Sequence, residues 1–210
     1  MSNNQSISLK SYQTVDETNG EVLSIYRYLT GNPREYRFNG QVGKFYLDGT
    51  DIGAKLKMQP IAWRFFEENL FARDRKEEWG EVFFIDRDNC VAVVMFNNSS
   101  VNNLKKVMQS IFYRGSLQNP KTFADFVVNI ASKEKTSEKG KYFIAEFEIE
   151  DADPAKVKEY REFALDHHIY REDTLTPTAV YNKSLVSDTF FLPPVPKVEQ
   201  LDEVTETILN

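Results

Sequence analysis

With 210 residues, 41% of them hydrophobic and 13% aromatic, the chain has enough apolar material for one domain of ordinary size with appendages, which excludes a disordered polymer. A formal net charge of −6 excludes a uniformly basic polyanion binder. The single cysteine, Cys90, excludes an intramolecular disulfide and a cysteine-based metal site, and points to a reducing interior with the cytoplasm as the default.

Met1 to Pro33 is polar apart from Val22, Leu23, Ile25, Tyr26, Tyr28 and Leu29, a stretch that fits a helix or an edge strand equally well, and is expected to form an N-terminal extension. Its first residues, MSNNQSISLKSYQ, have neither the basic lead nor the apolar centre of a signal peptide. Tyr36 to Leu47 has aromatics broken by Gly40 and Gly43, as in a hairpin, and Asp48-Gly49-Thr50-Asp51 is a turn. Lys55 to Phe66 reads as a strand whose Pro60 implies an edge or a bulge. Glu67 to Trp79 is a charged connection. Gly80 to Asp86 and Cys90 to Phe96 then pair as a hairpin around the turn Arg87 to Asn89. The run Val91 to Phe96 is the longest aliphatic stretch and is too short to span a bilayer.

Asn97-Asn98-Ser99-Ser100 offers capping side chains for an amphipathic helix, with Val101, Leu104, Met108 and Ile111 on one stripe, Val107 and Phe112 widening it, and an end near Gly115. A second hairpin follows. Phe126, Val128 and Ile130 alternate with polar residues before the turn Thr136 to Gly140, and Phe143, Ala145, Phe147 and Ile149 alternate with Tyr142, Glu146 and Glu148 after it. Gly140 suits the positive φ of a short bulged loop. Lys133, Lys135, Lys139, Lys141 and Tyr142 gather at that end. Asp153-Pro154 opens a second helix with Val157, Tyr160, Phe163 and Ala164 as its buried stripe. Beyond Thr174 the periodicity fades into Pro193-Pro194-Val195-Pro196 and an acidic tail. The expected organisation is therefore an extension (1–33), a domain with a C-terminal helix (34–175) and a linker with a tail (176–210).

From Lys55 the order is strand, long loop, strand, turn, strand, helix, strand, hairpin turn, strand. That order fits a mainly β fold with two helices, and specifically an OB-like five-stranded Greek-key barrel with an N-terminal extension and an acidic C-terminal tail. Such barrels bind oligonucleotides with the loops joining strands one to two and four to five, here Glu67 to Trp79 and Thr136 to Gly140. Charge is polarised to match: Val101 to Phe147 holds eight Lys and Arg against four acids, a balance of +4, whereas Glu199 to Asn210 holds four acids and no base.

Single-stranded nucleic acid is held by basic grooves that follow phosphates and by aromatic faces that stack bases. The candidates for that work are Trp63 and Arg64 on the first strand, Arg73, Arg75, Lys76 and Trp79 on the first loop, and Lys133, Lys135, Lys139, Lys141 and Tyr142 on the second. Core packing competes for the tryptophans, and a solvated surface competes for the first loop, where Glu67, Glu68, Asp74, Glu77 and Glu78 outnumber the bases. Glu146, Glu148 and Glu150 share a strand face and leave a carboxylate metal site for a nuclease conceivable, although a wet face explains them more simply. His167-His168 fits a helix end better than a metal site. Neither a Gly-rich phosphate loop nor a nucleophile elbow occurs, so no catalytic residue, cofactor or metal is expected.

The stretch FVVNIASKEKTSEKGKYFIAEFEIED, together with PIAWRFFEENLF and WGEVFFID, resembles the single-stranded DNA-binding proteins of phages and mobile elements. The resemblance covers Lys55 to about Asp151 and is one of pattern. It implies an OB-type barrel, a role in replication or recombination, single-stranded DNA as partner and no catalysis. Such proteins often end in acidic residues capped by an aromatic, and this chain ends Glu206-Thr207-Ile208-Leu209-Asn210. Recruitment of replication or recombination proteins through the tail stays open for that reason, as does homo-oligomerisation. The other readings are a β-rich viral structural or assembly protein acting through protein interfaces and, third, the carboxylate nuclease.

Overall fold

The computed structural model describes residues 8–70, 75–116, 120–171 and 180–183. In chain order the elements are β1 (Gln13–Val15), β2 (Val22–Ser24), β3 (Arg34–Asn39), β4 (Lys44–Leu47), β5 (Thr50–Gly53), β6 (Lys55–Met58), β7 (Pro60–Glu68), β8 (Glu77–Ile85), β9 (Val91–Asn97), α1 (Asn98–Phe112), a 3₁₀ turn (Phe123–Asp125), β10 (Phe126–Ser137), β11 (Gly140–Asp151), α2 (Pro154–Asp166) and β12 (Val180–Lys183). The protein is mainly β with two helices, as the periodicity predicts.

Seven strands form one mixed sheet in the order β12-β7-β8-β9-β3-β4-β5, and β11-β10-β6 form a second sheet. The strand expected over Lys55 to Phe66 joins the two. Its first half pairs with β10 (Leu56 opposite Ile130) and its second half with β8 (Phe65 opposite Gly80). Gln59, between the halves, is buried and donates from Nε2 to the Ala124 carbonyl at 3.1 Å. The described strands do not close into a barrel. Closing the expected order would require β11 to pair with β9, but β9 is taken by β3 in parallel register (Arg34 opposite Ala92). The outer edge of β11 faces α1 instead: Ala145 N donates to Ser100 Oγ at 3.0 Å and Asn103 Nδ2 donates to the Ala145 carbonyl at 3.0 Å.

Alternation builds a core on each face of the large sheet. Trp63, Phe65, Val82, Phe84, Ala92, Val94 and Phe96 point to one side, where the α1 stripe (Val101, Leu104, Met108, Ile111) and the inner face of the hairpin (Phe126, Val128, Ile130, Ala145, Phe147) cover them. Ile61, Phe83, Ile85, Val91 and Val93 point to the other, under Phe163 and Ala164 of α2 and Tyr12 and Tyr26 of the N-terminal segment. That segment is a two-stranded ribbon, β1 with β2. Lys10 Nζ reaches Asp166 at 2.6 Å and Tyr12 donates its hydroxyl to the same carboxylate at 2.6 Å. α2 starts as its sequence asks, with Asp153 accepting from Ala155 N at 2.9 Å and Pro154 in the first turn. α1 does not: Asn97 sits at the N-cap, but its side chain donates to Glu77 Oε2 at 3.1 Å, so the first turn has no side-chain cap.

Burial raises the phenols of three tyrosines from near 10 to about 12: Tyr12, where the Asp166 carboxylate adds to it, Tyr36, where Asp86 does, and Tyr160, where Glu159 does. A tyrosine whose folded pKa lies above its unfolded value contributes stability that is complete below pH 10 and is lost as pH rises toward 12. Stability should therefore fall between about pH 10 and 12, by up to about 1.4 kcal/mol per pH unit for each group. Urea midpoints across that window, with phenolate absorbance as the second readout, check it. A flat profile to pH 12 would contradict the burial of these hydroxyls.

Candidate nucleic-acid interface

The β10–β11 hairpin runs in unbroken register from Phe126 opposite Asp151 to Ser137 opposite Gly140, leaving a two-residue loop, Glu138-Lys139. Gly140 has φ +113°, a conformation open to glycine. The turn is thus tighter than the five residues expected, because pairing continues outward past the core. In that register the period of two divides the lysines. Lys133 and Lys135 lie on the outer face with Tyr142, Ile144 and Glu146, Lys141 lies on the opposite face with Glu134, and Lys139 is at the tip. Lys133 pairs with Glu146 at 2.6 Å and Lys141 with Glu134 at 2.7 Å. Lys135 and Lys139 have no ion-pair partner among the described residues. Lys135 stands directly opposite Tyr142, an exposed residue at 38% accessibility.

Tyr142, Phe143 and Ile144 form one wall of an open cleft of about 900 Å³. Arg37, Phe38, Gln41 and Tyr46 from β3, β4 and their turn line it, as does the uncapped first turn of α1 at Asn98, Ser99 and Ser100. Unsatisfied amides make that helix end electropositive. The walls are fixed to each other where Phe143 N donates to the Gly40 carbonyl at 2.7 Å. Arg37 has a 67% exposed side chain. Arg37, Phe38, Gln41 and Tyr46 do not stand out along the sequence as candidates for a site with Tyr142. They meet only because β3, from the expected margin of the domain, inserts beside β9, and pairing between strands so far apart leaves no local mark.

Burial removes three of the predicted contacts. Trp63 is fully buried, edge to face with Phe123 at 5.6 Å. Trp79 packs with Phe66, Leu70 and Met95 and donates Nε1 to the Glu68 carbonyl at 3.1 Å. Neither can stack on a base without leaving the core. Arg64 is also fully buried: its Nε is given to Glu81, and Nη1 donates to the Arg171 carbonyl at 3.1 Å. Arg75 and Lys76 are exposed, Arg75 within 3.6 Å of Glu77. Their loop is shorter than expected, since β7 runs to Glu68 and β8 starts at Glu77. Arg73 and the acidic tail lie outside the described residues.

Two of the three carboxylates of the outer hairpin face, Glu150 and Glu146, are held by lysines. Lys57 lies 2.6 Å from Glu150 and draws its pKa below the usual carboxylate value, and Glu146 belongs to Lys133. His167 stacks on Phe163 at 4.1 Å with Nδ1 2.8 Å from the Phe163 carbonyl, at the end of α2.

A second charged assembly, unforeseen from sequence, lies on the α2 side of the sheet. Glu81, fully buried, bridges Arg64 and Arg171. Arg171 also donates from Nη1 to Glu35 Oε1 at 2.8 Å, and Arg37 Nη2 donates to Glu35 Oε2 at 3.0 Å. Glu35 and Arg37 are thus shared between this assembly and the cleft. No family model, curated protein or solved structure matches the chain.

Proposed function

We propose that the protein binds single-stranded DNA without catalysis, threading it through the cleft between the β10–β11 hairpin and the β3–β4 arm. The observation that carries this reading is the juxtaposition of Lys135 with Tyr142, which is itself part of the cleft wall. A cation for the phosphates and an exposed tyrosine for a base stand on opposed residues, with Arg37 and Tyr46 on the facing wall. This is the pairing of features that sequence-tolerant single-strand binders use. An OB-like core is supported by the way β6 and β7 divide between the two sheets. A role in replication or recombination follows from the resemblance of the hairpin and its flanks to phage and mobile-element proteins.

The test is anisotropy of a labelled oligo-dT at low salt. Tryptophan quenching is a poor reporter, because both tryptophans are buried. Binding should weaken with salt, and Lys135→Ala with Lys139→Ala should lower the slope of log K against log salt by about 1.4, about 0.7 for each phosphate contact on a single strand. Tyr142→Ala should cost about 1–3 kcal/mol, a loss of about 5- to 150-fold. No anisotropy change at low salt would refute the proposal. A tight oligomer in light scattering, indifferent to oligo-dT, would favour the assembly reading, for which the exposed pair Phe112 and Tyr113, 55% and 75% accessible, is the natural contact.

A further inference from the structure

We propose that the pocket between Arg37 and Arg171 is a phosphate-class oxyanion site whose place is held, in the free protein, by the carboxylate of Glu35. The proposal rests on the nucleic-acid reading only for the source of the phosphate; its geometry stands apart from the hairpin.

Arg171 is anchored rather than loose. Its side chain is 7% exposed, Nη2 is given to the buried Glu81 and lies 3.4 Å from Met95 Sδ, and Nε is buried without a hydrogen-bond partner among the described residues. Arg37, by contrast, projects from β3 into solvent. Each guanidinium holds one oxygen of the same carboxylate, Arg171 at 2.8 Å and Arg37 at 3.0 Å. Planar guanidinium forks recognise carboxylate and phosphate oxygens by the same geometry, so a position that satisfies one satisfies the other. Glu35 is 44% exposed, and its carboxylate has water to turn into when displaced.

The pocket, of about 160 Å³, is lined by Glu35, Arg37, Met95, Asn97 and Arg171 among others. It is smaller than the roughly 300 Å³ at which pockets for whole small molecules begin, which suits a phosphate group, free or as one end of a diphosphate, rather than a whole nucleotide. Glu35, Arg37, Phe38 and Asn97 also line the large cleft. A phosphodiester chain in the cleft therefore has a path to this pocket, and so has a free phosphate. Glu35 acts as a built-in competitor that an arriving phosphate must displace.

The experiment uses the full chain, with inorganic pyrophosphate titrated calorimetrically and labelled oligo-dT followed by anisotropy. Glu35→Gln should tighten pyrophosphate binding about tenfold, Glu35→Ala should do so at least as well, and Arg37→Ala added to either should cancel the gain. If the phosphate comes from a nucleic-acid backbone, oligo-dT also gains, and its salt slope steepens by about 0.7. If only pyrophosphate gains, the source is a free phosphate and the site stands. Pyrophosphate gain in a protein that never binds oligo-dT would refute the nucleic-acid reading and leave this site intact. Folded Glu35 variants with unchanged pyrophosphate binding would overturn the site, whatever the hairpin variants do. A lowered melting temperature without change in either ligand would do the same, and would make Glu35 a strut.

Discussion

Glu81→Gln should destabilise the protein by about 3–5 kcal/mol, the cost of breaking a buried ion pair by removing one partner. Glu81 is fully buried on β8, and its two oxygens serve different guanidiniums, Arg64 from the adjacent strand and Arg171 from the segment after α2. Glutamine keeps the shape but removes the charge, and its amide nitrogen is a donor facing donors. Both guanidiniums then lose the buried carboxylate that offset part of their desolvation, although Arg171 keeps its pair with Glu35. The urea midpoint measures the loss. Replacing the trio together by apolar residues of similar volume, Arg64→Met, Glu81→Leu and Arg171→Met, should recover most of it, because uncompensated charge rather than lost packing is the main cost. A loss below about 1 kcal/mol in Glu81→Gln would show that the carboxylate does not sustain these arginines. The consequence reaches the cleft, since Glu81 fixes Arg171 and Arg171 fixes Glu35.

Gly43→Ala should cost about 2–5 kcal/mol. Gly43 has φ +70°, where a side chain costs about 1–2 kcal/mol, and a Cβ there would lie 2.5 Å from the Phe143 ring and 2.5 Å from Ser132 Oγ. The second term is overpacking, about 1–3 kcal/mol. Because Phe143 is an edge residue of β11 bonded to Gly40, pushing it away also separates the two walls of the cleft. Melting temperature measures the first effect. Oligo-dT affinity measured well below the melting point reads the second, and should fall with it. Gly49, with φ +81° and nothing within 4 Å of its missing Cβ, is the control: Gly49→Ala bears only the backbone term. Equal losses at the two positions would mean that the contact with the hairpin carries no weight.

Local elements follow closely from the sequence. The stripe of α1, the Asp153-Pro154 start of α2 and the register-bearing alternation of β10 and β11 depend on neighbours within a few residues, so a period of 3.6 or 2.0 is sufficient to expose them. The tryptophans mark where such reading ends. Trp63 and Trp79 flank a charged loop and are the same residue type whether they face solvent or core, and only the layers laid over them, the 3₁₀ turn at Phe123 and the pair Phe66 and Met95, decide.

What the sequence by itself determined is the β-rich class, the two helices and a hairpin whose tip carries lysines beside Tyr142, because these are properties of short-range pattern. What the tertiary structure alone decided is which residues share a site. The parallel entry of β3 beside β9 keeps the strands from closing, brings Arg37 and Tyr46 opposite the hairpin, and sets Glu35 between Arg37 and Arg171. That pairing joins residues more than fifty positions apart, and its driving force, burial of two sheet faces at once, is a property of the assembled layers and of no segment within them.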